Sequence, residues 1–149
     1  MVIMIGLHNI ASYQRLMDFS KAVFNFDIKY FVITKVSGTA AQTGIPDLSK
    51  LAFKQGKSFI VLPDLKDAIE LLHPDNVYLL SNYSDKELHP DSIDYNKKTL
   101  IVFSGIESGF TKIEQSLGEI VRLPRIKLDI GPVASLGALL YCVINNSKN

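Results

Sequence analysis

The chain lacks Trp, holds a single Cys and only three Arg, and has no strong excess of charge of either sign. One Cys cannot pair within the chain, so a disulfide scaffold is excluded. A net charge of +1 argues against a uniformly basic nucleic-acid binder. No apolar run is long enough for a membrane helix. The longest apolar stretch, residues 130–144, carries no charge, falls short of the roughly 20 residues required and contains Gly131, Pro132, Ser135 and Gly137, so it reads as a buried helix. Cys142 inside it is expected to behave as a small buried hydrophobe, which suits a reducing compartment. The opening residues MVIMIGLHN have no basic lead and no small-residue cleavage site, so a cytoplasmic location without a secretory signal is expected.

With 149 residues, 47% hydrophobic and 21% charged, residues 1–149 suit one folded domain and not a disordered chain. The near-neutral total is a cancellation. Residues 64–94 carry eight acids and two Lys, a net of −6, and the remainder carries a net of +7. A basic face is therefore available. So much apolar material in a short chain also predicts apolar surface buried against another subunit.

Short apolar runs alternate with helical patterns. Strands are predicted over residues 2–7, 28–36, 59–62, 77–80, 100–103 and 119–123. Helices are predicted over 12–24, where Leu16, Phe19, Val23 and Phe24 recur at helical steps, and over 48–55, closed by Gly56. Further helices are expected over 64–72, with Asp64 as N-cap, over 111–117, with Thr111 and Glu114 spaced as a capping box, and over 132–145. Residues 37–47 read as a loop, and residues 82–96 as a surface loop or a weak helix. Continuous apolar strands alternating with helices predict an α/β fold: a mostly parallel sheet with helices on both faces. Ligands of such sheets bind beyond the carboxyl ends of the strands. That directs attention to His8-Asn9, residues 37–46, 81–83, 105–109 and 123–131.

Several residue groups there could carry chemistry. Gly105-Ile106-Glu107-Ser108-Gly109 lets backbone approach a ligand and sets a carboxylate at the sheet edge, or it is an ordinary tight turn. It has neither dinucleotide-binding spacing nor a phosphate-loop Lys. Arg15 follows Asn9 by six residues and has only Asp18 as a local partner. Arg122, Arg125 and Lys127 surround Pro124 and could contact phosphate, or form a solvated strand end. His8, His73 and His89 are far apart in sequence, so no metal is expected. The Asp64-Leu65-Lys66-Asp67 segment is superficially similar to the acidic and Lys motif of restriction-type nucleases, but its contiguous residues at a helix start favour capping.

Together these positions resemble the SpoU-like branch of the SPOUT superfamily of RNA methyltransferases, over nearly the whole chain. In that branch an Asn near the end of the first strand is followed six residues later by an Arg, as Asn9 and Arg15 are here. A Gly-x-Glu-x-x-Gly turn follows a later strand, and Gly105–Gly109 is similar with one residue fewer. A hydrophobic-Pro pair corresponds to Leu123-Pro124. A closing Leu-Asn-x-Ser-x-Ala segment has its place at residues 129–136, where Gly131 replaces the Asn and an apolar residue replaces the Ser.

The resemblance implies a C-terminal trefoil knot, S-adenosylmethionine as cofactor, an RNA substrate such as tRNA or rRNA, and a homodimer through the last helix. The usual reaction of the branch is 2′-O-ribose methylation. Arg15, Asn9 and Glu107 would be catalytic. Leu80, Ser81, Gly105, Glu107, Gly109, Leu123, Pro124 and Ile130 would form the cofactor pocket. Arg15, Arg122, Arg125 and Lys127 would contact RNA. Two rivals stay open: a catalytically inactive knotted dimer that binds RNA or a ligand, and a metal-dependent nuclease using Asp64 and its neighbours.

Overall fold

A computed structural model describes residues 2–147. Six strands form one sheet in the order β3-β2-β1-β5-β4-β6, and every neighbouring pair is parallel. In chain order the elements are β1 (Val2–Ile10), α1 (Tyr13–Asn25), β2 (Tyr30–Val36), α2 (Ile45–Gln55), β3 (Ile60–Leu62), α3 (Leu65–Leu72), β4 (Asn76–Leu80), β5 (Lys98–Ser104), α4 (Lys112–Gln115), β6 (Glu119–Val121) and α5 (Pro132–Ser147). The expected α/β architecture is present. No helix among the described residues is long and apolar enough to cross a membrane.

The central strands are apolar on both sides because both sides are covered. Ile3, Ile5 and Leu7 of β1 face a core shared with α1, α2 and α5, where Phe19 packs its ring against Phe31 and Phe103. Met4 of β1 joins Val32, Leu100 and Val102 in a second core beneath α3 and Phe110. Local signals place the helix ends as expected. Ser12 caps α1 by accepting from Arg15 N–H. Gly56 ends α2 at φ 67°, a conformation that costs Gly little. Asp64 and Thr111 each close a capping box, with Asp67 and Glu114 as the reciprocal partners.

Three expectations are corrected. β1 does not stop before His8-Asn9. It continues to Ile10, because Asn9 adopts φ 64°, which Asn tolerates, and Ile10 then pairs with Val36. Residues 37–47 are not an open loop. A wide π-type turn, Ala40–Gly44, runs directly into α2. Its small residues serve close packing: Ala40 and Gly44 are buried, and a Cβ on Gly44 would lie 2.7 Å from Leu16 Cδ2. Cys142 is exposed. α5 buries Leu136, Leu139, Leu140 and Val143, while Ala134, Ala138, Tyr141 and Cys142 face outward, following one another from Ala134 and Ala138 at three- and four-residue steps along one stripe.

Candidate active site

Chain winding reverses at β1, which pairs with β2 on one side and β5 on the other. In open α/β sheets the crevice beyond the carboxyl ends near such a reversal is where ligands bind. A cleft of about 460 Å³ opens beside this point. One wall is the end of β4 and its continuation, from Leu80 to Tyr83. A second is Phe103 and Ser104 of β5 with Ile106, Glu107 and Gly109 of the following turn. A third is formed by Lys127, Leu128, Asp129 and the start of α5, and Arg15 of α1 completes the lining.

The turn after β5 is held from behind. Gly105 N–H donates to the His8 carbonyl at 2.8 Å. A Cβ on Gly105 would stand 2.3 Å from the Asn9 carbonyl oxygen, so only Gly fits. Arg15 Nη1 donates to the Gly105 carbonyl at 2.7 Å, which fixes the guanidinium at the cleft. Ser104 Oγ accepts from Ile106 N–H and donates to the Ile106 carbonyl, and Gly109 leaves the turn at φ 75°. The opposite wall is shaped by Gly131 at φ 84°, whose N–H donates to Asp129 Oδ1 at 2.8 Å. Pro132 then starts α5, where its missing N–H costs nothing.

Among the sequence-predicted residues, Arg15, Leu80, Ser81, Glu107, Gly109 and Lys127 line the cleft. Asn9 and Gly105 stand against each other behind its wall. Leu123 is buried in the core, and neither it nor Pro124 nor Ile130 lines the cleft. Arg122 lies 3.5 Å from Glu87, and Arg125, at φ 68°, is exposed away from the lining. Sequence reasoning missed Tyr83, Ser104, Asp129 and Ser135 as lining residues. Tyr83 and Asp129 lie inside the segments 81–83 and 123–131 singled out by strand-end position, Ser104 adjoins residues 105–109 and Ser135 falls in the closing segment 129–136, but none was named as a site residue.

On the other face of the sheet the structure assembles a group that sequence reading kept apart. His8 is fully buried. Its Nδ1 lies 2.8 Å from Thr34 Oγ1, its Nε2 2.6 Å from Glu114 Oε2, and Phe110 stacks on its ring. An Asp64 carboxylate oxygen reaches within 4.8 Å of the ligand atoms of His8 and Glu114. His8 and Glu114 are 106 residues apart, so no local pattern could pair them.

Burial pushes the Glu114 carboxyl up, but the Thr111 backbone N–H, the His8 side chain and the Lys35 charge outweigh it and hold Glu114 below the ordinary carboxylate range. Glu114 is therefore ionised at neutral pH, and His8 Nε2–H donates to it. A depressed folded-state value adds stability above the unfolded value, and that stability is lost as pH falls through the folded one. Urea unfolding of wild type and Glu114→Gln between about pH 6 and pH 3 is expected to show the wild-type advantage shrinking with acid.

Residues 38–142 match the family model described as RecB-family nuclease (DUF2122). A Methanocaldococcus jannaschii protein carrying the provisional name type II restriction enzyme MjaORF1200P is 37% identical over 142 residues, covering 92% of each chain. An Aeropyrum pernix protein, provisionally named type II restriction enzyme ApeKORF2002P, is 33% identical over 140 residues, 93% of this chain and 90% of that one. Solved structures carry a different kind of name. The SpoU methyltransferase AviRb from Streptomyces viridochromogenes, in complex with AdoMet, matches with a TM-score of 0.78 at 10% identity, over 99% of this chain. The chain spans 61% of AviRb. A structure solved for the 2-OH methylation of C/U34 on tRNA matches with a TM-score of 0.79 at 9% identity, over 99% of this chain and 97% of that one. The fold is thus that of SpoU methyltransferases, while by sequence the chain belongs to the family described as RecB-family nuclease (DUF2122).

Proposed function

We propose that the chain is an S-adenosylmethionine-dependent RNA methyltransferase, acting on a ribose 2′-hydroxyl of tRNA or rRNA. The observation that carries this reading is the cleft at the sheet's winding reversal, with Arg15 fixed at its edge by the Gly105 carbonyl. The cleft suits the cofactor. Its volume is in the range of small-molecule sites, and its walls combine apolar Leu80 and Phe103 with Glu107 and Asp129 carboxylates that can accept from ribose hydroxyls or an ammonium. The bound cofactor supplies an electrophilic methyl group. Arg15 holds the RNA phosphate or stabilises the anion developing on the attacking hydroxyl. Asn9 braces the Gly105 turn from behind, and Glu107 orients the substrate edge. Lys127 and Arg125 attract RNA backbone, and residues 100–135 thread as the trefoil knot of this branch.

The outward stripe of α5, Ala134, Ala138, Tyr141 and Cys142, supports a homodimer, because helices pack closely through small residues. The expected solution mass is twice the 16.6 kDa of one chain, and Tyr141→Glu is expected to reduce it to that of a monomer by light scattering. A nuclease centre of the restriction type is less well supported. Asp64 caps α3, and Lys66 pairs with Glu70 one helical turn on, so the Lys of this segment is turned to Glu70 and not to Asp64. The functional test is transfer of labelled methyl from the cofactor to bulk RNA. Incorporation into ribose supports the proposal. Cofactor binding without transfer leaves the inactive dimer, and metal-dependent RNA or DNA cleavage without methylation overturns the methyltransferase reading.

A further inference from the structure

We infer that His8, Asp64 and Glu114 form a binding site for one divalent transition-metal ion of the Zn²⁺ type, on the face of the sheet opposite the α1 and α5 core. The three ligand atoms lie within 4.8 Å of one another and come from three separate segments: β1, the start of α3 and the first turn of α4. One imidazole and two carboxylates, with no thiolate, are a donor set for Zn²⁺ and its first-row neighbours.

Each donor is already oriented. Glu114 Oε1 accepts from Thr111 N–H at 2.9 Å, leaving Oε2 turned to His8. Asp64 Oδ1 accepts from Leu65 N–H at 2.8 Å, and Lys35 N–H donates to the Pro63 carbonyl at 3.0 Å, which ties the Asp64 segment to the end of β2. Lys35 adopts φ 51°, and it follows Thr34, the residue that contacts His8 Nδ1. A metal-bound imidazole needs a partner on its other nitrogen to set tautomer and angle, and Thr34 Oγ1 stands there at 2.8 Å.

Metal binding replaces the proton shared by His8 Nε2 and Glu114 Oε2. His8 then carries its ring proton on Nδ1 instead of Nε2, and Nδ1–H donates to Thr34 Oγ1. Ordinary metal–ligand lengths of about 2.0–2.2 Å require the 2.6 Å His8–Glu114 contact to open by roughly 1 Å or less, within reach of side-chain rotation. The two carboxylates and the Lys35 ammonium leave one negative charge to meet the cation. Phe110 lies nearly parallel to the imidazole, with ring centroids 6.2 Å apart.

Calorimetric titration of the metal-stripped 149-residue chain with Zn²⁺, Mn²⁺ and Mg²⁺ tests the site. Expected are one Zn²⁺ per chain, tighter binding of Zn²⁺ than of Mn²⁺ or Mg²⁺, and a higher melting temperature in the presence of Zn²⁺. Asn caps helices as well as Asp does, so Asp64→Asn keeps the start of α3 while weakening one ligand. It is expected to bind Zn²⁺ at least ~10-fold more weakly with an unchanged metal-free melting temperature, and His8→Gln is expected to lose binding. Absence of stoichiometric Zn²⁺ binding, preference for Mg²⁺, or Asp64→Asn titrating within about twofold of wild type would each overturn the site.

Discussion

Arg15→Ala is expected to lower methyl transfer by about 10²–10³-fold, the usual effect of removing one donor aimed at developing negative charge. The free-energy equivalent is about 3–4 kcal/mol in the transition state. Stability is expected to change far less. Arg15 is an exposed residue of α1, and its side-chain bond to the Gly105 carbonyl is worth about 1 kcal/mol. Arg15→Lys keeps the charge but not the planar fork of donors, so a single ammonium must choose between the Gly105 carbonyl and the substrate. It is expected to recover only part of the lost rate. Single-turnover methylation of RNA at saturating cofactor measures the effect. Equal rates for wild type and Arg15→Ala would remove Arg15 from the mechanism.

Gly105→Ala carries the largest expected effect on folding. The new Cβ meets the Asn9 carbonyl oxygen at 2.3 Å and both Asn9 C and Ile10 Cα at 3.0 Å, all of them backbone. No rotamer can yield, so β1 and β5 must separate or the turn must move. Overpacking against fixed backbone costs about 3 kcal/mol or more. For a chain of this size that is a fall in melting temperature of roughly 6–12 °C. Moving the turn also displaces the carbonyl that holds Arg15, so activity falls with stability. Gly137→Ala is the control, since nothing lies within 4 Å of its Cβ position inside α5. It is expected to be neutral or to stabilise by up to about 1 kcal/mol through helix propensity. Thermal unfolding of the two variants beside wild type checks the pair.

Features written in local sequence were legible. The apolar run of β5, the capping box at Thr111 and Glu114, the Asp64 cap and the Gly56 stop all involve neighbours a few residues apart. The location of the cleft was legible too, because alternating strands and helices imply a parallel sheet whose ligands sit at its carboxyl edge. Two kinds of feature were not. Residues 37–47 look like a loop because they are small, yet their smallness serves the contact of Gly44 with Leu16, which only the folded chain reveals. His8 looked like an isolated imidazole at a strand end. Its pairing with Glu114 depends on α4 being brought over the end of β1, and the local strand pattern contains no trace of that. Cys142 was misplaced for a related reason. A helix apolar all round gives no clue to which stripe faces inward, and its outward stripe then asks for a second subunit.

The sequence family and the fold point to different chemistries, and cofactor binding separates them. Isothermal titration of the wild-type chain with S-adenosylmethionine is the most direct measurement. The expected result is one cofactor per chain with a Kd of about 10–100 µM, or roughly −7 to −5.5 kcal/mol, with S-adenosylhomocysteine competing for the same site. No heat of binding with the cofactor at about 1 mM would contradict the methyltransferase reading and leave the cleft beside Arg15 and Gly105 without its proposed ligand.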